Sequence, residues 1–290
     1  MIHLPRLDTV PCMELVGKYA VLHWGNEEFT IPRLKHGVLF LMSGYVGSQI
    51  HGCEYRIHLD YLRGRIVNEG VINGLQEHSR QLGVNEDGLG LELGWNPIIV
   101  NRGEEGVYFF NSKMKNWIGY ADFSKPFIQE ASLVMIRRNV PILGLPDLII
   151  NLDNKPTYIL ELKTTNNSTN LKFMRGREAL QAESYFHMMN YLGLNPRGAA
   201  IIKIVRGSEF RIIDNIDLII RSLDGGEDFV RLTKYVVIHR INVRDFNDFL
   251  KDVDYSLDYW LGLRNPRPSP SRGLCSGCEH RRYCPYSVVR

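Results

Sequence analysis

Apolar positions recur with two different spacings along the chain, and the change of spacing separates predicted helices from predicted strands. Apolar residues three and four positions apart predict helices over residues 45–62, 66–82, 177–192 and 243–262. β-rich segments broken by Gly, Pro and Asn predict strands at 107–110, 127–136, 142–151, 157–163 and 199–205, with two more near 209–213 and 234–241. Helices on both sides of a run of strands predict a mixed α/β core.

Composition and a linker-like stretch predict a globular protein of three segments. The chain has 290 residues, of which 44% are hydrophobic, enough to close a substantial core. Pro, Ser and Arg are concentrated in residues 265–273, so we predict an extension at 1–42, a core at 43–263 and a cysteine-rich segment at 264–290. The start of the chain lacks a signal-peptide pattern and no apolar run reaches membrane-spanning length. We therefore expect a cytoplasmic protein with no membrane partner.

Two carboxylates and a lysine lie on the strands of one predicted hairpin. A hairpin symmetric about Asn154 places Asp147 directly opposite Glu161. Like charges opposed in this way destabilise a sheet, and a Mg²⁺ or Mn²⁺ ion with its preference for oxygen ligands would offset the repulsion. Lys163 shares the face of Glu161, because side chains alternate along a strand. The residues alone leave open the alternative of edge-strand acids bridged by a surface lysine.

Three of the five cysteines crowd into ten residues near the C-terminus, at Cys275, Cys278 and Cys284. An odd number of cysteines with this spacing indicates metal ligation in a reducing compartment and not a disulfide framework. Tetrahedral zinc and cubane iron–sulfur sites both need a fourth ligand, which Cys53 or Cys12 would supply. The spacing does not distinguish zinc from an iron–sulfur cluster.

Charge and helical spacing single out further residues. The net charge of +3 says little about nucleic acid by itself, but Lys172, Arg175 and Arg177 form a basic cluster suited to phosphates. The same cluster is compatible with an ordinary solvated surface. Gln181 and Tyr185 are four residues apart and therefore share one helix face, as they would in any amphipathic helix.

The chain resembles the RecB-like nucleases of the PD-(D/E)XK superfamily in three motifs that follow the family's order. The motifs are Gly74-Leu-Gln-Glu-His78 on a predicted helix, Gly144-x-x-Asp147 with Glu161-x-Lys163, and Gln181-x-x-x-Tyr185. The resemblance implies a restriction-endonuclease-like core, in which helices flank a mixed central sheet. It covers about residues 43–285 and leaves the first forty residues and parts of 207–240 unmatched.

The same resemblance implies roles for individual residues. The implied metal ligands are His78, Asp147, Glu161 and the backbone carbonyl of Leu162. The implied catalytic residues are Asp147, Glu161, Lys163, which assists the attacking water, and Gln181 and Tyr185, which support the site or the substrate strand. The basic cluster and the aromatic ring, and not the resemblance, suggest the DNA contacts: Lys172, Arg175, Arg177 and Tyr185, whose ring we expect to be available for stacking on a base.

The cysteines resemble the split set of the iron–sulfur members of this family, which include the CRISPR-associated Cas-four nucleases and exonuclease V. That likeness implies a 4Fe-4S cluster, with zinc as the alternative, that joins an N-terminal helix to the C-terminal tail. The implied ligands are Cys53, Cys275, Cys278 and Cys284. One departure is that Glu54 and Tyr55 follow Cys53, where a Pro-Arg pair often stands in the family.

The function that the resemblance implies is metal-dependent hydrolysis of phosphodiester bonds at DNA ends, single-stranded or frayed. Within the family the likeness favours an exonuclease of CRISPR spacer acquisition that works beside an integrase complex. Two alternatives stay open, a repair nuclease like exonuclease V and a catalytically idle adaptor that binds DNA ends.

Overall fold

The computed structural model describes most of the chain from residue 12 onward, with gaps. The described residues are 12–16, 19–24, 27–38, 41–64, 73, 76–77, 80–82, 108–111, 116–120, 126–129, 133–191 and 194–289. His78 lies outside these residues, although positions 73, 76–77 and 80–82 of its predicted helix are helical. Within the described ranges, no helix is both long enough and apolar enough to cross a membrane.

Runs of several strands are separated by helices along the described chain. The helices are α1 (Ser43–His51), α2 (Glu54–Arg63), α3 (Gly176–Tyr191), α4 (Ile216–Asp224), α5 (Phe246–Trp260) and α6 (Arg272–Ser276), and short 3-10 turns span Lys35–Gly37, Ser168–Lys172 and Ile213–Asn215. The strands are β1 (Cys12–Val16), β2 (Tyr19–Trp24), β3 (Glu27–Ile31), β4 (Leu41–Met42), β5 (Tyr108–Asn111), β6 (Asn116–Tyr120), β7 (Phe127–Gln129), β8 (Leu133–Arg137), β9 (Val140–Gly144), β10 (Leu148–Leu152), β11 (Lys155–Thr165), β12 (Gly198–Val205), β13 (Phe229–Thr233) and β14 (Val236–Arg240).

A six-stranded mixed sheet lies at the centre, in the order β13-β14-β12-β11-β10-β7. Only β11 and β12 run parallel, and the other neighbours in this sheet are antiparallel. Ile149 and Ile159 on one face join a core cluster with residues of α1, α3 and α5, whereas Leu148 and Leu160 on the other face join a cluster with α4. The predicted mixed α/β core is therefore confirmed.

A second mixed sheet of three strands, in the order β4-β9-β8, contributes further buried residues to the cluster around α1 and α3. The parallel pair β4-β9 brings the start of α1 beside the end of β9. Two antiparallel sheets, β1-β2-β3 and β5-β6, complete the sheets of the described chain.

Two predicted strands were wrong because each is two strands in different sheets. The segment 127–136 contains β7 of the central sheet and β8 of the second sheet, and the segment 142–151 contains β9 of the second sheet and β10 of the central sheet. Pro146 lies in the break between β9 and β10, and a proline cannot donate a hydrogen bond to a sheet. The break turns the chain so that Asp147 directly precedes a central strand.

Two more predictions need correction. The helix over 45–62 is two helices, because Gly52 and Cys53 have non-helical backbone angles, with φ of −125° and −115° and ψ of −144° and 103°. The strand near 209–213 is absent, since these residues form bends that lead into α4. The helices predicted over 177–192 and 243–262 are confirmed as α3 and α5 within a few residues at each end.

Candidate active site and cysteine cavity

The hairpin of β10 and β11 brings two acids to one place through a two-residue turn and a bulge. Asp153 and Asn154 form the turn with φ of 53° and 58°, the positive values that a type I′ turn requires. A bulge after Ile150 then shifts the register by one residue, so that Leu148 pairs with Leu160. One residue further along this register, Asp147 lies across from Glu161, as the sequence predicts.

Both acids lie on the face of the sheet that α3 covers. Ile149 and Ile159 belong to the core cluster on that face, and the alternation of side chains assigns Asp147 and Glu161 to it as well. Asp147 Oδ2 accepts a hydrogen bond from the backbone N–H of Leu162 at 2.6 Å, which fixes its carboxylate against β11. Glu161 is only 3% exposed. Asp147 is half-buried, so the region that the two carboxylates share is only partly shielded from water.

Lys163 supplies the positive charge of this region. Its ammonium donates to Glu161 Oε1, and also to Gln181 Oε1 at 3.3 Å. Burial alone would lower the pKa of Lys163, but the negative charges of Glu161 and Asp147 outweigh burial and raise that pKa above its usual value. The side chain therefore remains an ammonium at neutral pH and acts as a hydrogen-bond donor.

Gln181 and Tyr185 of α3 extend the network away from the sheet. Gln181 Nε2 donates to Tyr185 Oη at 2.7 Å, while its carbonyl oxygen faces Lys163. Tyr185 is 1% exposed, and burial raises the pKa of its phenol well above the usual value. The buried ring offers no face to a base in this structure, so the stacking role predicted for Tyr185 needs correction. Its position supports the other predicted role, orienting the site through Gln181.

Steric crowding explains why glycine occupies the first position of the Gly144-x-x-Asp147 motif. A Cβ at Gly144 would lie 2.6 Å from Met188 Sδ and 2.9 Å from Tyr185 Cδ1. Because real Cβ atoms almost never approach other atoms so closely, any larger residue at this position would force the side chains of Met188 and Tyr185 to shift. The motif thus encodes the close approach of α3 as well as the placement of the acid.

A buried ion pair that sequence reasoning missed lies beside the site. Lys203 of β12 is in register with Lys163, and its ammonium donates to Glu178 Oε2 at 2.7 Å. Their side chains are only 7% and 11% exposed. Burial would raise the pKa of Glu178, but the hydrogen bond and charge of Lys203 bring it below its usual value. The signal in the sequence was a single lysine within an otherwise apolar run over 198–205.

The four cysteines named by the resemblance line one cavity of about 270 Å³ between α2, the start of α3 and the C-terminal tail. None of the four forms a disulfide, and burial raises the pKa of the Cys278 thiol. Three cations, Arg56, Arg177 and Arg281, line the same cavity. Arg177, predicted to contact DNA, lines this cavity, and burial lowers its pKa. Four thiols are donors of the kind that a thiolate-ligated metal group needs, but in this structure they line the cavity without forming a metal-binding cluster.

The tail is held on α2 by protein contacts around this cavity. Glu54 is fully buried and accepts hydrogen bonds at 2.6 Å from both terminal nitrogens of Arg264 and from the backbone N–H of Arg267. An ion pair at 2.9 Å joins Arg56 to Glu279, and a hydrogen bond at 2.6 Å joins His280 Nε2 to Asp60 Oδ1 of the same helix. Glu54 follows Cys53 where the family often has a Pro-Arg pair. This residue has a structural role, because its carboxylate anchors the tail next to Cys53.

Among the residues that the structure describes, neither candidate site has a complete set of metal ligands. No group of three or more His, Cys, Asp or Glu side chains in those residues is arranged to hold a metal ion. For the carboxylate site, the third side-chain ligand predicted is His78, which lies outside the described residues. The carboxylates of Asp147 and Glu161 still fit Mg²⁺ or Mn²⁺ by the chemistry of their oxygen donors.

Comparison with known proteins gives a limited result. No protein-family model matches this chain, and no curated protein matches it. Among solved structures, one similar chain is titled "Crystal structure of SSO0001", with 14% sequence identity, a TM-score of 0.45, and coverage of 87% of this chain and 88% of that chain. A likeness at this level carries no argument about function, which must rest on the site itself.

Proposed function

We propose that this protein is a metal-dependent DNA nuclease that hydrolyses phosphodiester bonds at DNA ends. The observation that supports the proposal most directly is the convergence of Asp147 and Glu161 on the ammonium of Lys163, on one largely buried face of the central sheet. Surface acids bridged by a lysine would be solvated, and Glu161 at 3% exposure is not. This burial favours a functional site over the alternative of edge-strand charges.

The residues of the site divide the chemistry between them. A bound Mg²⁺ or Mn²⁺ lowers the pKa of its water and neutralises negative charge on the phosphodiester. Asp147 and Glu161 would hold it, with His78 and the Leu162 carbonyl as the further ligands that the resemblance implies. Lys163, held protonated by the two acids, donates a hydrogen bond to the attacking oxygen or to the phosphorane. Gln181, fixed by the buried Tyr185, orients that ammonium.

Cleavage of end-labelled single- and double-stranded DNA with Mn²⁺ tests this proposal, with EDTA as the metal-free control. We expect cleavage by the wild type, none with Glu161→Gln, and a loss of about 100- to 1,000-fold with Lys163→Ala. Glu227→Gln is a matched control, since Glu227 is an exposed acid far along the chain from the motif residues. Mn²⁺-dependent cleavage by Glu161→Gln at the wild-type rate would refute the assignment. A wild type that binds DNA ends without cutting them would support the adaptor instead.

We also propose that Cys53, Cys275, Cys278 and Cys284 ligate a 4Fe-4S cluster, with zinc as the alternative. The support is that all four thiols line one cavity, Cys53 among them. Anaerobically purified protein should then contain about four iron and four sulfide per chain and absorb visible light. Cys53→Ser should lose this absorption and Cys12→Ser should retain it. One zinc per chain without sulfide would establish the alternative.

The pathway is a separate proposal, namely spacer acquisition beside a CRISPR integrase. It rests on the sequence resemblance alone. Conserved genomic neighbours that encode an integrase would support it, and neighbours that encode repair proteins would support a role like that of exonuclease V.

A further inference from the structure

An exposed aromatic residue lies between two cations immediately before α3. Phe173 is 67% exposed and Met174 is 38% exposed, the side chain of Arg175 is 65% exposed, and Lys172 is also exposed. Large apolar side chains at this exposure leave surface in water that burial would stabilise, so an apolar pair with flanking charges indicates a binding surface. These four residues form one exposed surface, the 172–175 segment.

The 172–175 segment is held from beneath by buried polar side chains. Lys203 donates to the carbonyl of Phe173 as well as to Glu178. His239 lies 2.6 Å from the carbonyl of Leu171, and because a carbonyl only accepts, the Nε2 of His239 carries the proton. Leu171 itself is fully buried. The backbone is therefore fixed on both sides of the exposed ring, and the exposure of Phe173 is a feature of an ordered surface.

The same contacts connect the 172–175 segment to the candidate active site. Lys203, which holds the segment, is in register with Lys163 on the neighbouring parallel strand. Glu178, which binds Lys203, also contributes to the raised pKa of Lys163. Three residues beyond Glu178 on α3, Gln181 accepts from Lys163. The 172–175 segment therefore lies next to the pair of strands that carries Lys163.

We propose that the 172–175 segment binds the single-stranded end of a DNA substrate, with the Phe173 ring stacked on an unpaired base and Lys172 and Arg175 on the flanking phosphates. The inference rests on the proposed nuclease function and deepens it by naming the substrate form. Two cations around an aromatic ring complement the alternation of phosphates and bases in a single strand. A base paired within a duplex has no free face for the ring, so the segment selects frayed or single-stranded ends. Phe173 thus takes the stacking role that the sequence suggested for the buried Tyr185.

Binding without cleavage tests the proposal, using fluorescence anisotropy of labelled oligothymidylate and of a blunt duplex in EDTA. We expect Phe173→Ala to weaken single-strand binding about 5- to 150-fold and to leave duplex binding unchanged. Phe173→Trp should retain affinity, and its fluorescence should be quenched by the oligonucleotide. Tyr235→Ala is the matched control, because Tyr235 is an exposed aromatic ring, 39% exposed, with the Lys234 ammonium 4.6 Å from its centroid, on the β13–β14 turn.

The salt dependence of binding distinguishes the contribution of the Phe173 ring from the contributions of the two cations. Substitution of Lys172 or Arg175 by alanine should reduce the slope of log affinity against log salt concentration by about 0.7 for each lost phosphate contact. Phe173→Ala should leave that slope unchanged. Equal loss of duplex and single-strand affinity in Phe173→Ala, or wild-type affinity for both, would overturn the proposal.

Mn²⁺ cleavage assays on the same preparations separate this inference from the proposed function. Cleavage by the wild type together with unchanged binding by Phe173→Ala overturns the surface proposal and leaves the nuclease proposal standing. Binding that depends on Phe173 in a wild type that never cleaves supports the surface and contradicts the nuclease proposal.

Discussion

Removal of the Lys203 ammonium should destabilise the fold far more than an average substitution. Lys203→Met keeps the length and packing of the side chain but leaves the carboxylate of Glu178, 11% exposed, without its main partner. Breaking a buried pair from one side costs about 3–5 kcal/mol, because the remaining charge stays desolvated. Glu178 retains a hydrogen bond from the backbone N–H of Arg175 at 3.2 Å, so the lower part of this range is expected.

The expected shift in melting temperature follows from the size of the chain. Unfolding entropy of about 2.1 cal/mol/K per residue gives about 0.6 kcal/mol/K for 290 residues. A loss of about 3–5 kcal/mol therefore lowers Tm by about 5–8 °C. Calorimetry of the wild type and of Lys203→Met, prepared with the same metal content, measures this shift.

A second variant distinguishes the cost of an unpaired charge from a general packing defect. Lys203→Met combined with Glu178→Leu removes both charges, and replacement of a buried pair by apolar residues is often close to neutral. We expect the double variant to recover most of the lost stability. A single variant within about 1 kcal/mol of the wild type, or a double variant no more stable than the single, would refute the argument that burial makes this pair costly to break.

Two further predictions follow from other contacts of α3. Burial would raise the pKa of Glu183, but the nearby His187 imidazole, 3.8 Å away, and the hydrogen bonds that Arg244 donates outweigh burial and lower that pKa from 4.5 to about 2. A carboxyl with a lowered pKa contributes stability that is present above pH 4.5 and is lost as the pH falls towards 2, so urea unfolding of Glu183→Gln should show a flatter pH profile in that window only. Gly144→Ala should cost about 1–3 kcal/mol and slow Mn²⁺-dependent cleavage, since the new Cβ displaces the Tyr185 ring, whereas an unchanged Tm in thermal unfolding would contradict the steric argument.

The carboxylate hairpin was predictable because its information is local. The turn residues Asp153 and Asn154 accept positive φ, and the alternation of the strands sets which side chains share a face. The predicted pairing of Asp147 with Glu161 is consistent with the observed register, but for a reason that the sequence did not reveal. The two-residue turn alone would offset the pairing by one position, and the bulge after Ile150 restores it.

Other features depend on contacts between distant segments, which periodicity does not encode. The apolar run 142–151 fits one long strand, yet Pro146 divides it between two sheets. Lys203 interrupts an apolar strand, and its partner Glu178 lies on a different element 25 residues earlier. A charged residue inside a buried strand signals that a partner exists, but only the tertiary structure identifies the partner. The break at Gly52 was visible as a helix-ending glycine, although the apolar spacing continues across it.

One helix connects the two candidate sites. The first turn of α3 places Arg177 in the cysteine cavity and Glu178 on Lys203, and the next turn places Gln181 on Lys163. A helix turn rises about 5.4 Å, so any shift of α3 along its axis moves the cavity wall and the ligand of the candidate catalytic lysine together. α3 is itself confined, because the Cβ of any residue larger than glycine at position 47 would lie 2.6 Å from the Arg177 carbonyl oxygen. A group bound by the cysteines, as proposed above, would therefore lie against the same helix that carries Gln181.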